Sequence, residues 1–354
     1  MPTADELLGN AVVDDLRACL GLELSVASFD SASLSTRMRL VRDALLSEMP
    51  SDYRDFEAAL RAALPDSRFT GWMIWPVTEA LAVRATAAGK PEFDSGLELL
   101  AELTSRLTGE FAIRTFLDAD LDRTLATAQT WTTHPDPHVR RLASEGTRPF
   151  LPWARRVAAL TARPYATRGI LTALYRDESE YVRRSVANHL NDLSRTDPEL
   201  VVEQASAWIA DPDENTPKSV RHALRTLVKK GHPDALALLG FAAPVGVTVE
   251  NLTVTPTTVV RGESVEFTFD LGNTSASNQS VAIDYVIHHV RANGTRSPKV
   301  FKLTTKSLPS GSRQQIVKSH SFRPITTRRY YPGEHLIEVQ VNGHTLGSGL
   351  FLLD

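Results

Sequence analysis

The most constraining feature of this sequence is a change in the spacing of its apolar residues near Gly240. Before that point apolar side chains recur every three or four residues, as in RMRLVRDALLSEM and LELLAELTSRL, which is typical of amphipathic helices. After Gly246 they alternate with polar residues in short runs such as VTVENLTV, SVEFTFDL and HLIEVQV, separated by turn-forming pairs such as Asn-Gly and Pro-Gly. A chain of 354 residues with two periods predicts two domains of different class.

The domain boundaries follow from this change of period. We predict a helical domain over residues 1–240, a linker over 241–246 (FAAPVG), and a strand domain over 247–354. Roughly seven short strands in about 110 residues are typical of an immunoglobulin-like β-sandwich. The Cys…Trp…Cys pattern of antibody domains is absent, so only the architecture is predicted.

An internal repeat refines the prediction for the helical part. Three segments align on a Val-Arg pair: VRRLASEGTR from Val139, VRRSVANHLN from Val182 and VRHALRTLVK from Val220. The starting positions are 43 residues (182 − 139) and 38 residues (220 − 182) apart. This period fits HEAT-like repeats, whose helix pairs stack into an α-solenoid.

Polar residues of these segments share one helix face. If the Val is position 0, then positions 2, 6 and 9 lie opposite the apolar stripe, and stacked repeats would form a polar, mostly basic column suited to a phosphate backbone. The alternative is three ordinary solvated helix faces. The column residues are Arg141, Glu145, Arg148, Arg184, Asn188, Asn191, His222, Thr226 and Lys229.

Glu145 is the exception in this column, because a carboxylate repels phosphate. Nearby arginines favour its ionised form. It belongs either to an ion-pair network that holds the arginines or to chemistry on a cationic substrate.

Composition narrows the partners and the compartment. The net charge of −3 argues against a protein that coats DNA. Acidic residues outnumber basic ones over residues 1–130 and basic ones outnumber acidic ones over 131–354, so a polyanion should meet the later part. A single cysteine, Cys19, excludes a disulfide framework. The N-terminus lacks the pattern of a signal peptide, and no run of about 20 apolar residues occurs, so we expect a cytoplasmic protein without a membrane span.

Three stretches resemble the AlkC branch of the AlkC and AlkD superfamily, the bacterial alkylpurine DNA glycosylases. They are LTGEFAIRTFL (108–117 and the preceding Leu107), WTTHPDPHVRRLASEGTRPFLPWARRV (131–157) and ESEYVRRSVANHLNDLSR (178–195). The stretch HSFRPITTRRYYPGEHLIEVQVNG (320–343) resembles the immunoglobulin-like domain of one AlkC subgroup. The resemblance covers nearly the whole chain.

The resemblance implies a HEAT-like solenoid whose concave face binds double-stranded DNA. Members of the family excise N3-alkylated bases, 3-methyladenine and in this branch 3-methylcytosine, without flipping the base into a pocket. They need no metal and no cofactor. We therefore expect an enzyme that acts on alkylated duplex DNA as a monomer, with no obligate protein partner and no membrane.

The resemblance also selects candidate catalytic residues. Glu110 and Glu145 are the acidic candidates, Trp153 is the aromatic one, and Asp192 could border the same site. A carboxylate stabilises the sugar cation that forms when the base leaves and positions a water molecule. Which carboxylate positions the water is left open. The structural alternatives are a helix start for Glu110, a buried hinge for Trp153 and an ion pair for Asp192.

The predicted DNA-binding residues come from both domains. By the resemblance Arg148 positions phosphate, and the other helical candidates come from the polar column. In the sandwich, RRYYPG (328–333) places two arginines on one turn, where they contact a minor groove or phosphate, or else stabilise a corner. The full set is Arg141, Arg148, Arg184, Asn188, Asn191, Lys229, Arg328 and Arg329.

The main alternative function is a non-catalytic HEAT-like scaffold that binds DNA or protein. It retains the polar column but has no use for Glu145 or Trp153. A different hydrolase is disfavoured, because the sequence has no P-loop, HExxH, GxSxG or cysteine-based constellation. Release of 3-methyladenine from methylated DNA separates an enzyme from a scaffold.

Overall fold

The computed structural model describes residues 3–29, 31–325 and 328–354, which form two compact units. The first unit runs to Val201 and includes Ala207–Ala223. The second contains Val202–Ser206 and Leu224–Asp354. The predicted fold class, a helical region followed by an immunoglobulin-like β-sandwich, is confirmed.

The helices follow one another closely along the chain, and many are short. Three 3-10 turns, Gly71–Met73, Trp131–Thr133 and Pro164–Thr167, join some of them. The helices are α1 (Ala4–Leu8), α2 (Asn10–Leu20), α3 (Leu34–Glu48), α4 (Tyr53–Ala63), α5 (Ile74–Ala88), α6 (Lys90–Leu103), α7 (Ile113–Ala119), α8 (Leu121–Thr130), α9 (Pro137–Glu145), α10 (Ala158–Ala162), α11 (Arg168–Leu174), α12 (Glu180–Leu193), α13 (Pro198–Ala210), α14 (Thr216–Ala223), α15 (Arg225–Lys229) and α16 (Pro233–Leu238).

Aspartate residues begin several of these helices. The Asp52 carboxylate accepts hydrogen bonds from two backbone N–H groups at the start of α4. The Asp136 and Asp197 carboxylates each accept one such hydrogen bond at the starts of α9 and α13, and each residue precedes a proline in the first turn. A proline is tolerated there because the N–H that it lacks has no partner within the helix. The Asp-Pro steps at Asp136 and Asp197 are therefore helix starts.

The three repeat helices lie side by side. Helix α12 packs against α9 on one side and α14 on the other, and Val139, Val182 and Val220 are all buried. Polar groups also join the neighbours, because the Asn188 Oδ1 and His222 Nε2 atoms lie 2.9 Å apart between α12 and α14. This contact joins position 6 of one repeat to position 2 of the next, and Thr226 and Lys229 of the third segment lie on the separate helix α15, so the predicted polar column is only partly reproduced.

The sandwich consists of a three-stranded sheet in the order β1-β3-β6 and a five-stranded sheet in the order β2-β8-β7-β4-β5. All pairings are antiparallel except that of β2 with β8. The strands are β1 (Val247–Thr255), β2 (Thr258–Val259), β3 (Ser264–Asn273), β4 (Gln279–Val290), β5 (Arg296–Leu308), β6 (Arg313–Ser321), β7 (Gly333–Val341) and β8 (His344–Leu353).

Alternation of apolar and polar residues explains this architecture. On β3 the side chains of Val265, Phe267, Phe269 and Leu271 point into the core, and the residues between them are more exposed. Since successive side chains of a strand face opposite sides, one face of each sheet is apolar and the two apolar faces pack together. The apolar runs in the sequence correspond to β1 and β3 to β8, whereas the two-residue β2 was not predicted.

Short helices of the second unit pack close to the five-stranded sheet. A Cβ atom at Gly343 would lie 2.2 Å from the carbonyl oxygen of Gly231, so the two backbones approach as only glycine permits. The Asn342 side chain donates hydrogen bonds to the carbonyls of Ala242 and Ser280. The chain segment before the strands is therefore part of this unit's packing.

Asp284 of β4 provides a stability prediction for this unit. Asp284 is 8% exposed, and burial raises the pKa of its carboxyl to about 6, although the charge of Lys302 on the neighbouring strand acts to lower it. Between about pH 4 and pH 6 the folded chain therefore holds a proton that the unfolded chain has lost, so stability falls as pH rises through that window. We expect Asp284→Asn to increase the free energy of unfolding by up to about 3 kcal/mol at pH 8.

The measurement is urea unfolding of both proteins at pH 8 and pH 4, where the gain at pH 4 should be smaller. Asp270→Asn is the matched control, because hydrogen bonds from Asn251 and Arg313 lower the pKa of Asp270. That variant should not gain stability at pH 8. An equal gain for Asp284→Asn at both pH values would contradict the raised pKa.

Candidate active site

Five charged side chains of the first unit form a continuous series, which we call the carboxylate–guanidinium chain. Glu110 lies 2.8 Å from Arg141, and Arg141 lies 3.6 Å from Glu145. Glu145 lies 2.6 Å from Arg148, and Arg148 lies 2.9 Å from Asp192. Three carboxylates and two guanidinium groups alternate, so the chain carries a net charge of −1 (two positive, three negative).

Separate elements of the fold supply these groups. Glu110 stands just before α7, where the Thr108 hydroxyl donates a hydrogen bond of 2.9 Å to its carboxylate. Arg141 and Glu145 lie one turn apart on α9, and four-residue spacing places both on the same helix face. Asp192 belongs to the last turn of α12. The packing of α12 against α9 therefore brings the third carboxylate to the other two.

Most of the carboxylate–guanidinium chain is buried. Glu145 is 6% exposed and Asp192 is 3% exposed. Burial raises the pKa of Asp192 above the ordinary aspartate value, although its hydrogen bond from Arg148 acts in the opposite direction. For Arg148, burial works to lower the pKa, but Asp192 and Glu145 together raise it, so this guanidinium is fully charged. Buried charges are stable only when paired in this way.

The segment that follows α9 carries an exposed tryptophan. Trp153 is 95% exposed and has a φ of 63°, in the left-handed region that non-glycine residues seldom adopt. This exposure contradicts the alternative that Trp153 is a buried hinge, which would place the indole in the protein interior. An apolar ring fully in water on strained backbone is costly, and such outliers concentrate at functional sites.

Arg114 of α7 holds this segment from inside the protein. It is 1% exposed, and its guanidinium donates hydrogen bonds to the carbonyls of Gly146, Arg148 and Arg155. Burial lowers the pKa of Arg114 to about 10, so it stays charged at neutral pH. The three carbonyls lie on both sides of Trp153 in the sequence. Arg114 therefore fixes both ends of the segment that exposes the indole.

Tyr181 of α12 completes the surroundings of Arg141. The Arg141 guanidinium lies over the Tyr181 ring, 4.8 Å from its centroid, and the His138 ring meets the same tyrosine edge-on at 5.6 Å. Arg141 also donates a hydrogen bond of 3.2 Å to the Thr108 hydroxyl. Its position between two carboxylates is thus fixed by an aromatic ring and a hydroxyl group.

The predicted phosphate ligands Arg141 and Arg148 are therefore engaged with carboxylates. Helix α9 also ends at Glu145, so Arg148 does not continue the helix face on which the repeat alignment placed it. Its side chain nevertheless meets Glu145 and Asp192. Arg141 and Arg148 thus hold the acidic side chains in place through ion pairs.

The other predicted DNA contacts of the first unit lie on α12. Arg184 is exposed and lies 3.5 Å from Glu180, a weak surface pair. Asn188 meets His222, and Asn191 is 5% exposed. Asn191 is thus an interior residue, whereas Arg184 remains accessible to a partner.

In the second unit the predicted contacts are Lys229, Arg328 and Arg329. Lys229 is exposed at the end of α15. Arg328 is half-buried, with its guanidinium 2.6 Å from the His289 ring nitrogen, and Arg329 is exposed with its guanidinium 5.3 Å from the centroid of Tyr331. Lys229 and Arg329 thus present their charges to solvent, and Arg328 turns toward the core.

The sequence interpretation missed Arg114 and Tyr181. Both lie in the stretches that carry the family resemblance, but neither has a motif of its own. The available signal was an isolated arginine in the apolar run FAIRTFL, since a charge at such a place is either exposed or engaged by buried partners.

Two further findings concern the described part of the chain. Within residues 3–29, 31–325 and 328–354, no three His, Cys, Asp or Glu side chains are arranged to hold a metal ion. Across the same residues, the helices are all too short or too polar to cross a membrane.

Comparisons with known proteins identify relatives of both parts of the chain. Residues 107–230 match the family model described as DNA alkylation repair enzyme, and residues 248–354 match that of the C-terminal Ig-like domain of the uncharacterised protein YhaZ. The uncharacterized protein YhaZ of Bacillus subtilis (strain 168) is 36% identical over 92% of this chain and 88% of its own length. The alkylpurine DNA glycosylase AlkC of Pseudomonas fluorescens, solved bound to DNA containing an abasic site analog, is 35% identical with a TM-score of 0.80, and the match covers 100% of this chain and 99% of that one.

Proposed function

The chain belongs to the AlkC branch of the DNA alkylation repair family, and we propose that it hydrolyses the N-glycosidic bond of 3-methyladenine and 3-methylcytosine in duplex DNA. The observation that carries this proposal is the carboxylate–guanidinium chain, whose Arg148 lies on the same anchored segment as the exposed Trp153. A base alkylated at N3 is already cationic, so it leaves as a neutral molecule when the C1′–N bond breaks. The enzyme must therefore stabilise the positive charge that is left on the sugar.

The carboxylates of Glu110, Glu145 and Asp192 supply this stabilisation. Arg141 and Arg148 hold the three carboxylates in fixed positions, so the acidic groups need little reorganisation when the sugar cation forms. Each of the three carboxylates attracts a cation that forms next to it. Low exposure of Glu145 and Asp192 strengthens this attraction, since water screens it less.

We assign the proton-accepting role to Asp192. In hydrolysis a water oxygen bonds to C1′ and the water gives up a proton. Asp192 is the last group of the carboxylate–guanidinium chain and has Arg148 as its ion-pair partner, whereas Glu145 contacts two arginines. Its raised pKa, caused mainly by burial, makes it a better base than an ordinary aspartate. Glu110 and Glu145 then act through their charge.

Trp153 is proposed to contact the lesion nucleotide. An indole face next to a cationic base or sugar contributes roughly 0.5–2 kcal/mol. Because the ring is 95% exposed, it lines no closed cavity that could receive an extruded base. We therefore propose that the damaged base stays in the duplex during hydrolysis.

Duplex DNA is the proposed partner, and the AlkC structure with DNA supports this choice. Arg184, Lys229 and Arg329 are exposed and suited to phosphate or groove contacts. For Asn188, Asn191 and Arg328, the interior contacts favour a supporting role. We propose that one copy of the chain is sufficient for activity.

The test is a base-release assay on duplexes that contain 3-methyladenine, 3-methylcytosine or 7-methylguanine. We expect release of the first two bases, unaffected by EDTA, because the three acidic groups of the site are committed to arginines. Raising the salt concentration from 50 to 200 mM should slow release steeply under subsaturating protein, since phosphate contacts weaken with salt. The readout is the free base separated by chromatography.

A non-catalytic scaffold makes a different prediction in the same assay. It would bind the duplex and release no base from any of the three substrates. Release of 7-methylguanine alone would retain a glycosylase but contradict the proposed lesion class.

A further inference from the structure

Arg141 and Arg148 are tied to carboxylates, which leaves open the question of which residues bind phosphate close to the lesion. Arginines that serve this purpose need accessible N–H groups. Two such residues flank the proposed active site. They are Arg156, three residues after Trp153, and Arg195, three residues after Asp192.

Both arginines meet one aromatic ring. The Arg156 guanidinium lies 5.1 Å from the centroid of Phe150, and the Arg195 guanidinium lies 4.8 Å from it. Both arginines are exposed, and Phe150 is half-buried. We call these three residues the arginine clamp. A guanidinium over a ring presents its face to the π system and leaves its N–H edge available for an anion.

In the described part of the chain, no ion pair within 4.0 Å includes either arginine of the clamp, and acidic groups of the first unit pair with other arginines. Two like charges held at one ring repel each other. Neutralisation by an anion between or beside them removes that repulsion. The arrangement therefore favours an anionic ligand over an empty site.

The clamp also lies close to the carboxylate–guanidinium chain. The charge of Arg195 acts to lower the pKa of Asp192, so the two groups are within electrostatic range. Phe150 stands between Arg148 and Trp153 on the segment that Arg114 anchors. An anion bound by the clamp would thus be next to the position of the lesion.

We propose that Arg156 and Arg195, held by Phe150, bind a phosphodiester group of the DNA backbone adjacent to the damaged nucleotide. This inference rests on the proposed function, because it names a further contact of the same site. It transfers the phosphate-binding role near the lesion from Arg141 and Arg148 to Arg156 and Arg195, two arginines that lie within the stretches of family resemblance. The clamp fixes the register of the sugar against Asp192.

The experiment measures binding of the full chain to a duplex with an abasic analog and to an undamaged duplex, as a function of salt. Each lost phosphate contact lowers the slope of log K against log salt by about 1. We expect Arg156→Gln and Arg195→Gln to lower it by about 1 each, and the double variant by about 2. Phe150→Leu keeps all charges but should weaken binding severalfold, because the guanidinium groups lose their support.

Arg163→Gln is the matched control. Arg163 is also an exposed arginine of the first unit, but it is paired with Asp122 at 2.8 Å. The slope of log K against log salt for Arg163→Gln should equal that of the wild type. Unchanged melting temperatures for all variants would show that the fold is retained. If the ligand is a backbone phosphodiester, inorganic phosphate added at constant ionic strength should not compete with the duplex for the clamp.

The outcomes separate this inference from the proposed function. If the wild type releases base but the double variant keeps its full salt slope, the clamp does not bind phosphate and the glycosylase assignment stands. If the wild type binds no duplex, both proposals fail. Strong competition by inorganic phosphate would replace the backbone phosphodiester with a free anion as ligand and overturn the proposal.

Discussion

Replacing Glu145 with glutamine is expected to lower the single-turnover rate of base release by about 10²- to 10³-fold. Glutamine has the shape of glutamate and still accepts a hydrogen bond from Arg148, but it removes one of the three negative charges. The site then loses one of the three carboxylate charges that attract the sugar cation. Binding to an abasic duplex should change much less, because no cation forms in that complex.

The pH profile provides a second readout of the same variant. The negative charge of Glu145 is one of the factors that raise the pKa of Asp192. Without it Asp192 loses its proton at a lower pH, so the acidic limb of the residual activity should shift downward. A merely structural defect would reduce activity without moving this limb.

Glu57→Gln is the matched control for Glu145→Gln. Glu57 is also a largely buried glutamate, paired with an arginine, Arg61, at 2.7 Å, but it lies on α4 outside the proposed active site. Glu57→Gln should lose about as much folding stability as Glu145→Gln but retain base release. Full activity of Glu145→Gln would contradict the electrostatic role of the carboxylate–guanidinium chain. Glu145 would then have only a structural role.

Local patterns in the sequence predicted much of the fold. The Val-Arg repeat identified α9, α12 and α14, which lie side by side, although its third segment continues on the separate helix α15. The period of two identified seven of the eight strands that the structure describes between Val247 and Leu353. Such patterns succeed because burial of one face imposes a period on the sequence. Strand β2 escaped notice because two residues are too few to display a period.

The candidate site was only partly predictable. Glu110, Glu145 and Asp192 were singled out, and they are brought together by two shared arginines. Pairing of Glu145 and Asp192 with arginines was one of the alternatives that the sequence offered, but which arginine meets which carboxylate could not be inferred, since Arg141 and Arg148 read as phosphate ligands on a helix face. Long-range contacts of this kind depend on where a chain turns after a helix, here after Glu145, and no periodic signal records that turn.

Arg114→Met is expected to destabilise the protein by about 3 kcal/mol and to reduce base release as severely as loss of Trp153. Methionine fills part of the space but donates no hydrogen bond, so the carbonyls of Gly146, Arg148 and Arg155 lose their donor, at about 1–3 kcal/mol for each buried group. Removal of a buried charge offsets part of this cost. Equilibrium unfolding in urea measures the net effect.

The decisive comparison is a double-mutant cycle of Arg114→Lys and Trp153→Ala. Lysine keeps the charge with a shorter reach and without the planar fork, so the chain should still fold. If Arg114 acts by positioning the indole, then the rate of the double variant should be close to that of Trp153→Ala alone, because the segment has no indole left to misplace. Independent, multiplicative losses would mean that Arg114 supports the fold without setting the position of Trp153, and the tryptophan's left-handed backbone would then need another cause.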